Sequence, residues 1–204
     1  MAPFTTVTGP VVPLLQANID TDVIIRIERL TQSVDLGHYA FEALRYRSDG
    51  SPDPASVFNE PRFARAPILL AGRNFGCGSS REGAVTALMA MGFRSVIAPS
   101  FGDIFFANCF RNGMLPVVLP EETVASLAAE ARAGDFAVDL AAQTIRPPSG
   151  EAIAFVTDPL QREGLLEGLD EIGFTLKWAD DIAAWQNTDR AARPWVWQIE
   201  GINV

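Results

Sequence analysis

From Pro67 to Gly134 the chain alternates short, wholly apolar runs with longer stretches in which apolar residues recur every third or fourth position. The short runs predict buried strands and the 3.6-residue recurrence predicts helices. Strands are therefore expected at 67-PILLA-71, 94-RSVIAP-99 and 115-LPVVLP-120. Helices are expected at 81-REGAVTALMAMG-92, at 101-FGDIFFANCFRNG-113 and at 121-EETVASLAAEARAG-134, the last with acidic residues in its first turn and a glycine at its end. A β-α-β-α-β order calls for a parallel sheet with crossover connections.

The flanks carry a different pattern. Upstream, 5-TTVTGPVVPLL-15 is strand material broken by Gly and Pro, and 35-DLGHYAFEALRYRSDGSPDPASVF-58 predicts a helix followed by a polar, proline-containing loop. Downstream, 136-FAVDL-140, 143-QTIRP-147 and 152-AIAFV-156 predict short strands joined by tight turns, hence a small antiparallel sheet. Two short helices are expected over 158–174 and 180–187. Residues 1–204 thus read as one domain in which 188–204 form a C-terminal tail; with Trp195 and Trp197 it is unusually apolar for a solvated end, disorder being the plainer reading and docking on a partner the sharper one.

Composition narrows the function. With 48% hydrophobic residues the chain can bury a substantial core, and a net charge of −9 argues against nucleic acid or an anionic membrane as partner. No apolar run approaches the ~20 residues of a membrane span, and MAPFTTVTGPVV has neither the basic flank nor the apolar segment of a signal peptide, so a cytoplasmic location is expected. The two cysteines, Cys77 and Cys109, are expected to be reduced, and two thiols cannot supply the usual ligands of an iron-sulfur cluster.

The candidate chemistry lies in 74-NFGCGSSRE-82, where the first predicted strand hands over to a helix. Open α/β sheets bind ligands at such crevices. Unpaired N–H groups and a positive helix end would attract an anion there. Gly76 and Gly78 permit close backbone approach, Cys77 lies between them, and Arg81 can grip a carboxylate. On local pattern alone a plainer reading comes first: Ser79-x-x-Glu82 matches a capping box, which needs only a helix to cap. Other motifs fail. Gly76-x-Gly78-x-x-Arg81 lacks the last glycine of a dinucleotide fingerprint. The sole histidine, His38, lies far upstream without a nucleophile elbow, against a Ser-His-Asp hydrolase. Asn18, Asp20 and Asp22 alternate like calcium ligands, yet Val23 and Arg29 stand where glycine and glutamate are required, so a turn is the expectation.

Taken together, 18-NIDTDVI-24, 74-NFGCGSSRE-82 and 96-VIAPSFGDIFFANCFRNGMLPV-117 resemble, in order and spacing, the small subunit of 3-isopropylmalate dehydratase, of the aconitase superfamily. The resemblance runs from about residue 5 to 185 and is densest over 67–119. It implies an α/β fold, a swivelling β/β/α domain with a central parallel sheet, a second antiparallel sheet and a helical layer. It also implies an isomerising hydro-lyase of leucine biosynthesis acting on a small dicarboxylate. The four-iron four-sulfur cluster would be held by a large subunit, none by this chain alone, and no metal site is expected here. In that scheme Ser79 matches the catalytic base, Ser80 and Arg81 match residues holding substrate carboxylate, and Thr21 and Asp22 match a segment at the edge of the substrate site that orients the serine and arginine. Two departures stand out: Gly83-Ala84-Val85 where the family has His-Ala-Pro, and Arg26, read first as a surface charge, where it has proline. They leave open a paralogue acting on another 2-alkylmalate, methylmalate or citraconate; a stand-alone anion-binding domain of similar fold is the other alternative.

Overall fold

The computed structural model describes residues 1–32 and 35–197, and the chain divides into two compact units, Met1–Gly168 and Leu169–Val204. In the first unit the apolar stretch near the N-terminus divides at Gly9-Pro10. β1 (Thr6–Gly9) enters one sheet and β2 (Val11–Leu14) another, because proline has no N–H with which to continue a ladder. Four short helices follow: α1 (Thr21–Ile24), α2 (Ile27–Gln32), α3 (Leu36–Tyr39) and α4 (Glu42–Arg45). The expected alternation comes next: β3 (Ile68–Ala71), α5 (Gly83–Ala90), β4 (Ser95–Ala98), α6 (Asp103–Asn112), β5 (Leu115–Val118) and α7 (Glu121–Glu130). The parallel sheet has the order β2-β3-β4-β5, one strand more than the sequence pattern suggested. Its two prolines, Pro13 and Pro116, sit on the edge strands, where a missing donor breaks no central ladder.

The three downstream strands, β6 (Phe136–Asp139), β7 (Thr144–Arg146) and β8 (Ile153–Ala154), form the expected antiparallel sheet, with β1 as its fourth member in the order β1-β6-β7-β8. Alternation along β3 shows how the layers stack. Leu69 and Ala71 join a core with Val85, Leu88 and Phe105 of the helices; Ile68 and Leu70 join a second core with Phe136, Val138 and Ile145 of the antiparallel sheet. A strand buried on both faces reads as an unbroken apolar run, as 67-PILLA-71 does. The β/β/α layering implied by the family resemblance is the observed architecture.

Two expected helices are divided. The one foreseen at the start of 35–58 breaks between α3 and α4 at Phe41, which takes φ 53°, donates its N–H to the Ile24 carbonyl at 2.8 Å and stacks on Phe58 at 4.5 Å. Burial of one aromatic ring outweighs local helix preference there. The one foreseen over 158–174 becomes α8 (Pro159–Glu167) and α9 (Glu171–Leu176), because α8 ends at Gly168 and the Asp170 carboxylate caps the next helix through the Gly173 N–H at 2.7 Å.

The unit from Leu169 on holds α9, α10 (Ala179–Ala192) and a 3-10 turn at Pro194–Val196. α10 is longer than expected and runs into the stretch read as tail. Asp189 on it accepts from the Trp197 indole N–H at 2.9 Å and pairs with Arg193 at 2.6 Å. Residues 198–204 of that stretch lie outside the described residues. Among the described residues no helix is long and apolar enough to cross a membrane.

Candidate active site

The three connections that leave the carboxyl ends of β2, β3 and β4 are tied to one another. From the β2 side, Asn18 N–H donates to the Arg73 carbonyl at 2.9 Å and Thr21 N–H to the Cys77 carbonyl at 2.9 Å, while Gly76 N–H reaches back to the Ile19 carbonyl at 2.7 Å. On the β4 side, Phe75 N–H donates to the Ser100 carbonyl at 3.0 Å and Gly102 N–H to the Phe75 carbonyl at 2.9 Å. Side chains complete the lacing: Asn74 donates its backbone N–H to Ser100 Oγ and its amide to Asn18 Oδ1, both at 2.8 Å. Irregular backbone that is buried, as at Phe75 and Gly76, has to find such partners, and here they tie the segment 73–77 to its two neighbours. Sequence inspection missed Asn74 and Ser100; the faint signal was that Asn74 and Asn18, both at φ 57°, belong to the residue type that best tolerates this region after glycine.

Gly76 and Gly78 have separate uses. At Gly76, φ is 71° and a Cβ would lie 2.2 Å from the ring of Phe105, so this glycine seats the loop on α6 rather than baring backbone to a ligand. Gly78, at φ 100°, is exposed with nothing nearer than 3.4 Å to the place of a Cβ, and it is the open side of the turn.

The capping reading of Ser79 fails. α5 starts at Gly83 with Glu82 as its N-cap, three residues beyond Ser79, and Glu82 accepts instead from the Asn112 amide at 3.0 Å. Ser79 turns toward α1: its Oγ lies 2.8 Å from Thr21 Oγ1, and its N–H donates to the same oxygen at 3.2 Å. Thr21 is only 1% exposed, so it can act on a ligand through Ser79 alone. Its own position is fixed by α1, a single turn that starts there because Asp20 caps it through the Val23 N–H at 2.8 Å. The acidic cluster 18–22 is thus the turn expected of it. Next to this pair, the Arg81 guanidinium is ion-paired with Asp22; the arginine is 21% exposed and the aspartate 58%. Ser80 faces solvent. The structure therefore brings Thr21, Asp22, Ser79, Ser80 and Arg81 to one edge of the sheet, on two loops 58 residues apart in sequence.

The remaining singled-out residues fall elsewhere. Cys77 is half-buried in the loop, where its carbonyl takes the Thr21 N–H; Cys109 is enclosed in α6 and burial pushes its thiol pKa well up. Among the described residues no three His, Cys, Asp or Glu side chains converge as a metal site, and these two thiols do not fit the ligand set of a cluster. Arg26 is exposed and lines an open cleft with His38, Tyr46 and Arg47. Gly83, where a Cβ would come within 2.5 Å of Leu30, leaves room for α2 to lie against the first turn of α5. The departures at 26 and 83 thus touch the same short helix.

Residues 1–122 match the family model for the aconitase C-terminal domain, and residues 171–196 match that for the C-terminal domain of the 3-isopropylmalate dehydratase small subunit. A 3-isopropylmalate dehydratase small subunit of Paramagnetospirillum magneticum is 47% identical over 201 residues, covering 96% of this chain and 100% of its own. One from Gluconacetobacter diazotrophicus is 48% identical over 204 residues, with 98% and 99% covered. The crystal structure of 3-isopropylmalate dehydratase from Methanocaldococcus jannaschii superposes with a TM-score of 0.64 over 89% of this chain and 99% of that one; at 24% identity it speaks for the fold. By sequence over nearly its whole length, the chain belongs to the family of 3-isopropylmalate dehydratase small subunits, within the aconitase superfamily.

Proposed function

We propose that Ser79 carries the proton in an elimination and re-addition of water that interconverts 2- and 3-isopropylmalate. Ser79 Oγ, as alkoxide, takes the proton from one carbon of the substrate while hydroxide leaves the adjacent carbon, giving an alkene with both carboxylates intact. Return of a proton from Ser79 Oγ and of hydroxide with the positions exchanged completes the isomerisation. Departure of hydroxide calls for a Lewis acid, which the four-iron cluster of the large subunit supplies when that subunit is bound. On this reading the enzyme works in the cytoplasm, where free thiols such as Cys77 and Cys109 persist.

The observation that carries the proposal is the 2.8 Å contact between Ser79 Oγ and the buried Thr21 Oγ1. A serine hydroxyl is a weak base in water; a preorganised donor aimed at its oxygen lowers the cost of the alkoxide. Thr21 can accept the Ser79 N–H and still donate its own proton to Ser79 Oγ. Because α5 begins four residues beyond Ser79 and helix-end effects fade within one turn, Thr21 is the stabilising group, ahead of the first helical N–H groups. Arg81 offers five N–H donors, and Asp22 holds its guanidinium by one edge, orienting it for a carboxylate alongside Ser80.

The test is Ser79→Ala in the complex reconstituted with the large subunit. Turnover falls by about 10²–10⁴-fold, the range of a lost acid–base group, while the melting temperature, iron content and subunit affinity stay at wild-type values. Retention of more than about a tenth of the activity sinks the assignment.

A further inference from the structure

At the end of α5 away from Ser79, a cavity of about 550 Å³ is lined by the buried rings of Phe58, Phe63 and Phe93 together with Met91, Asp35 and Arg45. Its volume falls in the range of small-ligand pockets. Met91 closes the carboxyl end of α5 and Phe93 leads into the amino end of β4, whereas the Ser79 pair sits beyond the carboxyl ends of the strands. The cavity is thus separate from the candidate active site. Arg45 sets it apart from an ordinary surface hollow. Its Nη1 donates to the carbonyls of Gly37, His38 and Ala40 at 2.8, 3.1 and 3.0 Å, closing the end of α3. The other edge of the guanidinium, Nε with Nη2, has no acceptor among the described residues, although Nε is buried. A buried donor left unpaired is costly, and that edge is a fork able to take a carboxylate by two parallel bonds. Asp35 complements it: its Oδ1 accepts the His38 N–H at 3.2 Å, and its carboxylate is in no ion pair with a described residue.

We propose that this cavity binds a free α-amino acid with an apolar side chain. The open edge of Arg45 takes the carboxylate, Asp35 takes the ammonium, and the phenylalanines receive the side chain. The two charges stand at opposite ends of α3, since Asp35 caps its start and Arg45 closes its finish. A helix of four residues is about 6 Å long, a gap that the two charged groups of one amino acid span with a hydrogen bond on either side. Other small ligands fit less well. A dicarboxylate such as an isopropylmalate would set its second carboxylate against Asp35, and a phosphate ester would meet the same repulsion. The net charge of −9 further disfavours an anion, whereas a zwitterion has no net charge to set against that field. A plain hydrocarbon would leave Arg45 Nε without its acceptor.

The experiment titrates L-leucine, as the probe, into the full chain by calorimetry. Wild type binds it with a Kd of about 1 mM or tighter, within reach of a ligand of that size. Leucinamide lacks the carboxylate, 4-methylpentanoate the ammonium and glycine the side chain; each binds about tenfold or more weakly. Arg45→Lys keeps a donor for the α3 carbonyls but loses the fork, and Asp35→Asn keeps the cap on His38 but loses the charge. Both variants stay folded, as thermal melting checks, and weaken leucine binding about tenfold or more. Asp35→Asn also narrows the difference between leucine and 4-methylpentanoate, which a purely structural role for Asp35 would leave unmoved. Four results would each overturn the proposal: no saturation of wild type by about 10 mM leucine, equal affinity for 4-methylpentanoate, wild-type affinity in Arg45→Lys, or loss of binding in Arg81→Met, which would return the ligand to the Ser79 site. Ser79→Ala leaves leucine binding unchanged, so the base assignment and this site stand or fall separately.

Discussion

The loop 72–82 and the unit from Leu169 on are held by opposite means. The loop contains no regular structure around Ser79, yet it is fixed by bonds to two other loops and by Gly76 lying against Phe105. The C-terminal unit is mostly helix, yet none of its described residues is buried, and Ile172, Leu176, Trp178, Trp185 and Trp195 are between 59% and 69% exposed. Its helices rest on local devices: the Asp170 cap, and Asp189 with Arg193 and Trp197. Regularity of backbone is therefore a poor guide to rigidity. Tertiary closure sets the position of Ser79 in a stretch that a secondary-structure reading would leave blank, whereas short helices without a packed face gain little from their hydrogen bonds alone.

The sharpest way to break the contrast is Gly76→Ala. The added methyl meets the ring of Phe105, which is 1% exposed and has nowhere to go, and alanine resists a φ of 71°. The expected loss is about 2–4 kcal/mol of unfolding free energy from overpacking and backbone strain together. Urea denaturation of the isolated chain checks it; a loss below about 1 kcal/mol would show the loop to be softer than the bonding implies.

Less disruptive is Thr21→Val, which keeps shape and burial and deletes the hydroxyl. Ser79 loses the partner of both its Oγ and its N–H. Stability falls by about 1–2 kcal/mol, the cost of leaving the N–H unsatisfied in a half-buried place. Turnover falls by about 10²-fold as the alkoxide loses a preorganised donor. Thr21→Ser restores most of both. An unchanged turnover number in Thr21→Val would mean that the threonine only holds the loop.

These two substitutions mark how far the sequence could be read. The runs at 67–71, 94–99 and 115–120 announce the parallel sheet because strands buried on both faces are apolar throughout. Ser79 and Thr21 were singled out by motif resemblance, but their contact spans 58 residues and depends on β2 pairing with β3 across four intervening helices, a distance no local pattern encodes. The capping box misled for the same reason: Ser79-x-x-Glu82 satisfies the local rule, yet tertiary partners, Thr21 for the serine and Asn112 for the glutamate, win. The division of 35–58 at Phe41 was hidden because its cause, Phe58 and the Ile24 carbonyl, lies outside the helical window.

The smallest effect comes from the other side of the contrast and is read by an accident of composition: all four tryptophans, 178, 185, 195 and 197, fall in the C-terminal unit, so intrinsic tryptophan emission reports on that unit alone. The Trp197 indole N–H, and then Arg193, hold the Asp189 carboxyl below the usual aspartate range. A carboxyl whose pKa is lowered by folding stabilises the folded form above its unfolded value and loses that contribution as pH falls through the folded value. At pH 7 the Asp189 contacts are therefore fully in place, and they fade as acid is added below about pH 3.9, the ordinary aspartate value. Trp197 emission should shift to the red over that range, with far-UV circular dichroism, dominated by Met1–Gly168, changing much less. Asp189→Asn should flatten the fluorescence titration, since its side chain mimics the protonated acid at every pH. A fluorescence change that tracks the far-UV signal step for step in both proteins would show that the two regions melt as one, and the contrast between closure and local capping would not hold.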